Sequence, residues 1–570
     1  MSASLSHRLL ISIETSQSFM DRLLTLEVKR VASYLRAKNV LFAAGAYVGL
    51  QAVLFAFSII RRRWTPIRRL PGPPNPSFLF GNYHEIHGAP IGFTQEQWMK
   101  VYGHTFVFNE ILGALRVFTA DPKALSFIMN QSSKFVRPEL VRKIFSDHLG
   151  EGLLAVEFDV HKRQRRLMNP SFGPAQVRAL VPIFWNKSNE LRDIWLDLLK
   201  ESPKGAAVIN VMHWLSRATL DMIGVAGFDY HFNALKSDDE DELAKAFAKV
   251  FQGGKGISVY HFIKARIPGG NLLPNAREKM LLQNKAIMNR IGQRIVAEKK
   301  AALTQDLKTG STAQGRDLLT LCIKSNMLSE DEEHRMSDDE VLAQIATFLV
   351  AGHETTATST TWALYALAKN KKSQTKLRQE LLDAGLGDEP GMAELDKLPY
   401  LDAVVRETMR IHPAVAGSIR QATENAKIPV SKVFKDRDGV DRSEIRVKKG
   451  DILFIPIAIM NRDREIWGED AMEFRPERWE FVPEGAKELP GVWSHLMSFL
   501  SGPHACIGFR FAIIEMKALL YSLVRAIEFD IDSTLEVDAQ SESVVARPRI
   551  LSEPEKGNQL PLICSPVLSV

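Results

Sequence analysis

Cysteine is nearly absent from this 570-residue chain, which holds only Cys322, Cys506 and Cys564. An odd number of widely separated thiols excludes a disulfide framework and fits a reducing compartment. Internal repeats are missing, as is any flavin or dinucleotide fingerprint. Most of the chain also lacks an excess of charge. The net charge is +6, yet residues 1–70 carry eleven Lys and Arg against three acids, so the other 500 residues are net −2. Basicity belongs to the N-terminal segment, and a nucleic-acid partner has no support. Long apolar runs are absent but for one, residues 40–60, which are 21 residues without a charge.

That run is long enough to cross a bilayer core of about 30 Å as a helix. Arg61, Arg62 and Arg63 follow it directly, so it reads as a transmembrane anchor. A cleavable signal peptide would have a shorter apolar core ending at a small-residue cleavage site. Basic residues nearly balance across the span, so charge does not set its orientation. Next comes Leu70-Pro71-Gly72-Pro73-Pro74-Asn75-Pro76, which can be neither helix nor central strand and reads as a stiff hinge.

The remainder is of ordinary globular composition, 45% hydrophobic and 25% charged, with ample length for a large core. Helical patterns dominate from about residue 100 to 530, with short strand-like runs such as Asp451–Ile459. The stretch Phe251–Pro274 carries five glycines and breaks two helical regions. The expected organisation is an N-terminal extension (1–39), the anchor (40–60), a basic and proline-rich hinge (61–80) and one catalytic domain (81–570).

The most informative segment is Phe499-Leu-Ser-Gly502-Pro-His504-Ala-Cys506-Ile-Gly508, followed by a helical run from Phe509. It sets Cys506 at a helix N-terminus, where free N–H groups and the helix dipole favour a thiolate. Gly502 supplies the turn that presents the sulfur, and Gly508 leaves room for a flat cofactor. A lone cysteine before a helix more often reads as a buried structural thiol, and Cys506 is also a candidate iron ligand. A thiolate on haem iron favours O–O cleavage.

Ser337-Asp-Asp-Glu340 fits a helix-starting capping box, and no proline interrupts the pattern to about Lys369. The middle of that helix is apolar on nearly all sides yet contains Ala351-Gly-His-Glu354-Thr355-Thr356. A buried acid is costly unless partnered, so a function is expected there. Mid-helix threonines commonly bond back to a carbonyl one turn earlier, the bland alternative for Thr355 and Thr356.

The spacing F-x-x-G-x-x-x-C-x-G resembles the haem-binding loop of the cytochrome P450 family, and further motifs follow in family order. The resemblance implies a mainly α fold, a large helical domain with small β-sheets, bearing haem b (iron protoporphyrin IX) on Cys506. It implies an oxygen-activating helix in which Thr355 and Glu354 manage the two protons that heterolytic splitting of dioxygen requires. Glu407 and Arg410, one helical turn apart, would form a structural triad with Arg478 behind the haem. His161 and Arg165 stand where the family has W-x-x-x-R, and Arg420 follows a stretch that passes the haem edge; all three would hold propionates. His504 stands where the family usually has Arg, a weaker charge partner near pH 7.

The resemblance therefore implies a monooxygenase oxidising a lipophilic small molecule, with a terpenoid as the family-level guess. Electrons would come singly from an NADPH-cytochrome P450 reductase. The enzyme would sit in the endoplasmic reticulum membrane by a single pass, its catalytic domain in the cytosol. A steroid or fatty-acid hydroxylase remains open. So does a haem-thiolate isomerase or dehydratase, which Glu354 and Thr355 disfavour. A non-enzymatic haem sensor is disfavoured by the anchor.

Overall fold

The computed structural model describes residues 64–236, 241–251, 276–309, 315–329, 335–539 and 544–567, with isolated positions between 42 and 53. The chain divides into two units, residues 1–64 with 259–274, and residues 65–258 with 275–570. Most of the apolar run 40–60 and of the loop 251–274 lies outside the described residues. Among those described, no helix is long and apolar enough to cross a membrane.

The large unit begins at Thr65, earlier than the expected boundary at 81. The proline-rich segment is pinned to it. Val107 N–H donates to Pro71 O (2.8 Å) and Arg437 N–H to Arg69 O (2.7 Å). Thr65 Oγ1 donates to Asp451 (2.7 Å) and Ile67 is buried. Prolines that cannot join a ladder still lend their carbonyls to one.

Six helices carry the architecture around the site: α1 (Phe158–Met168), α2 (Pro174–Glu201), α3 (Val211–Phe228), α4 (Asp338–Lys369), α5 (Pro399–Ile411) and α6 (Phe509–Ala526). Helix α4 starts as the sequence expects: Glu340 N–H donates to Ser337 Oγ (3.2 Å) and Ser337 N–H to Glu340 Oε2 (2.8 Å). It runs through the core, buried from Val341 to Ala368 over most of its residues. It packs against α3 and α6, and α2 packs against α6.

A five-stranded sheet flanks these helices, built from β1 (Thr105–Asn109), β2 (Leu115–Thr119), β3 (Phe135–Val136), β4 (Ser418–Ala422) and β5 (Ile452–Ile455). Its order is β1-β2-β5-β4-β3, with β2 and β5 parallel and the other neighbours antiparallel. Arg420 pairs with Leu453 in this sheet. The strand expected over Asp451–Ile459 ends at Ile455, because Pro456 has no N–H for the ladder and the chain turns into a helical turn, Ile457–Met460. The mainly helical fold with small sheets is the one the resemblance implied.

Candidate active site

The cysteine loop is shaped by two short turns, Met497–Phe499 and Gly502–His504. Cys506 N–H donates to Phe499 O (2.9 Å), closing the loop on buried Phe499. Gly502 sits at φ +68°, and a Cβ there would lie 2.3 Å from Met129 O, so the turn demands glycine twice over. Gly508 is the N-cap of α6; a Cβ there would meet only Phe172 at 3.6 Å, so the protein itself does not fill that side.

Cys506 is the exposed member of the three cysteines, while Cys322 and Cys564 are buried. Enough protein surrounds it that burial pushes its thiol up, against the pull of the Gly508 N–H and the Arg165 guanidinium. The thiolate expected from the helix terminus alone is thus outweighed by desolvation. A bound metal ion restores the balance, since a coordinating thiol is deprotonated outright.

Around this loop the fold gathers His161, Arg165, Arg420 and His504 from three distant parts of the chain. Arg165 Nη1 donates to Ala505 O (2.5 Å), which braces the backbone beside the cysteine. Arg420, only 2% exposed, donates from Nη1 to Ser418 Oγ and to Ile419 O, both at 2.9 Å. Its Nη2 is buried with no partner among the described residues. Burial, then the neighbouring Arg137, lowers its pKa to about 10. The buried His161 ring lies 3.9 Å from that of His504, and burial, then His504 and Arg137, hold it neutral with a pKa of about 3.

Two members of this cluster escaped sequence reasoning, Arg137 and Glu157. Glu157 Oε1 accepts from Arg137 N–H (3.1 Å) and Nη1 (3.0 Å), and its Oε2 lies 2.9 Å from His504 Nε2, off the line of a straight hydrogen bond. Arg137 Nη1 faces His504 Nδ1 at 3.3 Å. A guanidinium only donates, so Nδ1 is the acceptor and the ring proton sits on Nε2, toward Glu157. With Arg137 donating to its Nδ1, His504 is neutral and does not replace the cation the family has there. Burial alone would raise the Glu157 carboxyl, but His504 and Arg137 hold it at about 2. No local spacing marks these contacts, which join residues 20 and 367 apart.

Glu407, Arg410 and Arg478 come together, all buried. Glu407 accepts from Arg410 Nε (2.9 Å) and Nη2 (2.8 Å), from Trp479 Nε1 (3.1 Å) and from Arg475 N–H (2.9 Å), with Arg478 Nε at 3.4 Å. Arg410 spends its other donors on Asn461 O (3.0 Å), Ala471 O (2.6 Å) and Glu473 O (3.1 Å). Arg478 also holds Asp470 Oδ1 (2.7 Å).

On α4, Thr355 Oγ1 donates to Ala351 O (2.7 Å) and Thr356 Oγ1 to Gly352 O (3.2 Å), the back-bonding pattern common to mid-helix threonines. Glu354 is ion-paired with Arg547, a third residue the sequence did not reveal. The small residue Gly352 serves helix packing, since a Cβ there would lie 2.8 Å from the side chain of Ile223 on α3. Thr219 on α3 bonds the His353 carbonyl at 3.0 Å. Among the described contacts none joins Glu354 or Thr355 directly to Cys506. The two halves meet through α4 against α6, with Phe172 lying between Gly508 and Phe348 of α4.

The loop of Cys506 thus lies beside a cationic cluster, and comparisons with known proteins bear on the family. The family model "Cytochrome P450" matches residues 71–557. Cytochrome P450 monooxygenase 205 of Postia placenta is 44% identical, over 94% of this chain and 99% of its own. Cytochrome P450 monooxygenase 128 of the same fungus is 43% identical, over 93% and 98%. Ganoderic acid synthetase CYP5150L8 of Ganoderma lucidum is 31% identical, over 85% and 92%. The chain belongs to the cytochrome P450 family and is a P450 monooxygenase.

Proposed function

We propose that this protein hydroxylates a lipophilic secondary metabolite, of terpenoid type, using haem b on Cys506, dioxygen, and electrons from an NADPH-cytochrome P450 reductase. The observation that carries the reading is an exposed cysteine in a loop whose His504 neighbours a buried guanidinium with an unclaimed donor, Arg420 Nη2. An unpaired buried donor is costly, and a propionate oxygen would satisfy it. The residues present therefore fit a haem: Cys506 would hold the iron, Arg420 would pair with a propionate, and Arg165 braces the cysteine loop. Bound there, the haem supplies dioxygen activation assisted by electron donation from the thiolate. One relative is named for the synthesis of ganoderic acid, which supports a role in secondary metabolism.

The chain's own residues handle protons and water. Thr355 gives its hydroxyl proton to Ala351 O, which leaves the Oγ1 lone pairs free to accept from a donor in the cleft. Glu354 is held by Arg547 and is freed to carry a proton inward when that pair opens. The Glu407 cluster, which spends all five Arg410 donors, holds the core around Asn461 and Trp467 rigid. We further propose that residues 40–60 anchor the protein in the endoplasmic reticulum with the large unit cytosolic. Release of the full-length protein from membranes by an alkaline wash would rule this out.

Thr355→Ala tests the oxidative reading. The variant should keep haem and substrate binding, consume NADPH and release hydrogen peroxide, with product per NADPH falling by roughly 10²-fold, the low end for a general-acid contribution. An unchanged ratio would remove Thr355 from the reaction and favour an isomerase or dehydratase. A screen of lipophilic compounds that follows the haem absorption band supplies the substrate.

A further inference from the structure

The cationic cluster beside Cys506 contains one anion, and it is deeply buried. Glu157 is the N-cap residue of α1, 5% exposed, with Arg137 on one oxygen and His504 close to the other. Its placement is not needed to cap the helix, since its side chain makes no capping bond. Nor does it serve as a surface pair, because the Arg137–Glu157 bridge is shielded on both sides, at 14% and 1% side-chain exposure. A buried ion pair stabilises little by itself after desolvation, so another reason for a carboxylate at this place is required.

The reason emerges from the charges that act on one another here. Arg137, Arg165 and Arg420 are cations; His161 is neutral, and His504 is neutral because Arg137 donates into its Nδ1. Glu157 acts on Arg420, His161 and His504, and Arg165 acts on Cys506. Three guanidiniums against one carboxylate leave two net positive charges. A haem brings two propionates, and its ferric core with an axial thiolate is itself neutral.

We propose that Glu157 is a charge-setting residue of the haem cradle, a positioning group whose fixed negative charge holds Arg137 against His504 and trims the cradle to the charge that two propionates cancel. The proposal rests on the reading that haem sits on Cys506. Without Glu157 the cradle carries one surplus positive charge in a region that solvent screens poorly. That surplus favours the ferrous state, which has one electron more. Without Arg137 the imbalance is reversed.

Spectroelectrochemical titration of the purified holoprotein tests this, together with the haem-to-protein ratio. Glu157→Gln keeps shape and loses charge, and should shift the ferric–ferrous equilibrium toward ferrous by roughly tenfold, about 59 mV for one electron. Arg137→Gln should shift it in the opposite direction. The double variant Arg137→Gln/Glu157→Gln restores the net charge and should return close to the wild-type potential, and Glu157→Asp should stay close to it. Stoichiometric haem at the wild-type potential in Glu157→Gln would overturn the proposal. So would haem loss in Glu157→Gln that neither Glu157→Asp nor the double variant repairs, since the role would then be structural. Failure of the haem reading itself is distinguishable, because the wild-type protein would then lack the thiolate spectrum altogether.

Discussion

Replacing Glu407 by Gln should cost more than any surface ion pair in the molecule. Glu407 faces two guanidiniums, an indole N–H and a backbone N–H, and both its side chain and that of Arg410 are wholly buried. Gln preserves the volume and one acceptor oxygen, but presents an NH₂ group to donors that already point at it. Whichever way the amide turns, Arg410 loses one of its two bonds to this side chain, and the carboxylate charge that both Arg410 and Arg478 face is gone. Breaking a buried pair from one side typically costs 3–5 kcal/mol, a large share of the 5–15 kcal/mol that holds a domain folded. Arg410→Met should be at least as harmful, because it also strips partners from the Asn461, Ala471 and Glu473 carbonyls. Urea unfolding followed by tryptophan fluorescence, with haem absorbance read in parallel, measures both. A loss under about 1 kcal/mol in either variant would refute the reasoning that this cluster fastens the core.

Acid should destabilise the fold well above the carboxylate range. Burial holds His353 neutral down to a pKa of about 4 and His412 down to about 3, whereas both titrate near 6.5 when unfolded. The unfolded state thus binds more protons below pH 6.5, so stability is full above that pH and falls as pH drops toward 4. Between pH 6 and pH 5 the two together should cost about 2–3 kcal/mol. His412→Phe keeps a ring stacked on Trp362 (4.4 Å) and should roughly halve that slope; an unchanged slope would count against it. Gly502→Ala forces a left-handed alanine, costing about 1–2 kcal/mol before its contact with Met129 O, and should lower the haem-to-protein ratio. Gly439→Ala, also at positive φ but with open space around it, should leave that ratio unchanged.

What the sequence revealed and what it hid divide along chain distance. The Ser337–Glu340 cap, the Gly502 turn and the Cys506 loop are legible because each fits within about one turn or one loop, whereas the Glu407–Arg410 spacing recurs at Glu27, Glu139 and Glu332 and is singled out only by its place in the family order. Arg478 and Arg420 could be placed only by resemblance: Arg478 meets Glu407 71 residues away, and the bonds of Arg420 to Ser418 and Ile419 do not mark its buried unclaimed donor. Arg137, Glu157 and Arg547 were invisible, since a carboxylate or guanidinium that finds its partner 20, 193 or 367 residues away leaves no periodic trace. The balance of effects on the free Cys506 thiol was hidden for a related reason. Helix position can be read locally, whereas the desolvation that outweighs it depends on everything packed around the loop. Likewise nothing local shows that Gly352 makes room for Ile223 on another helix.

The central claim is that Cys506 is the iron ligand, and the absorption spectrum of the reduced, carbon monoxide-bound protein tests it most directly. Cys506→Ser should abolish the thiolate signature, because a neutral alcohol does not replace a charged sulfur at iron. Cys322→Ser and Cys564→Ser, at buried thiols that burial pushes up to about 12, should leave the signature unchanged. A thiolate spectrum that survives in Cys506→Ser would contradict the account.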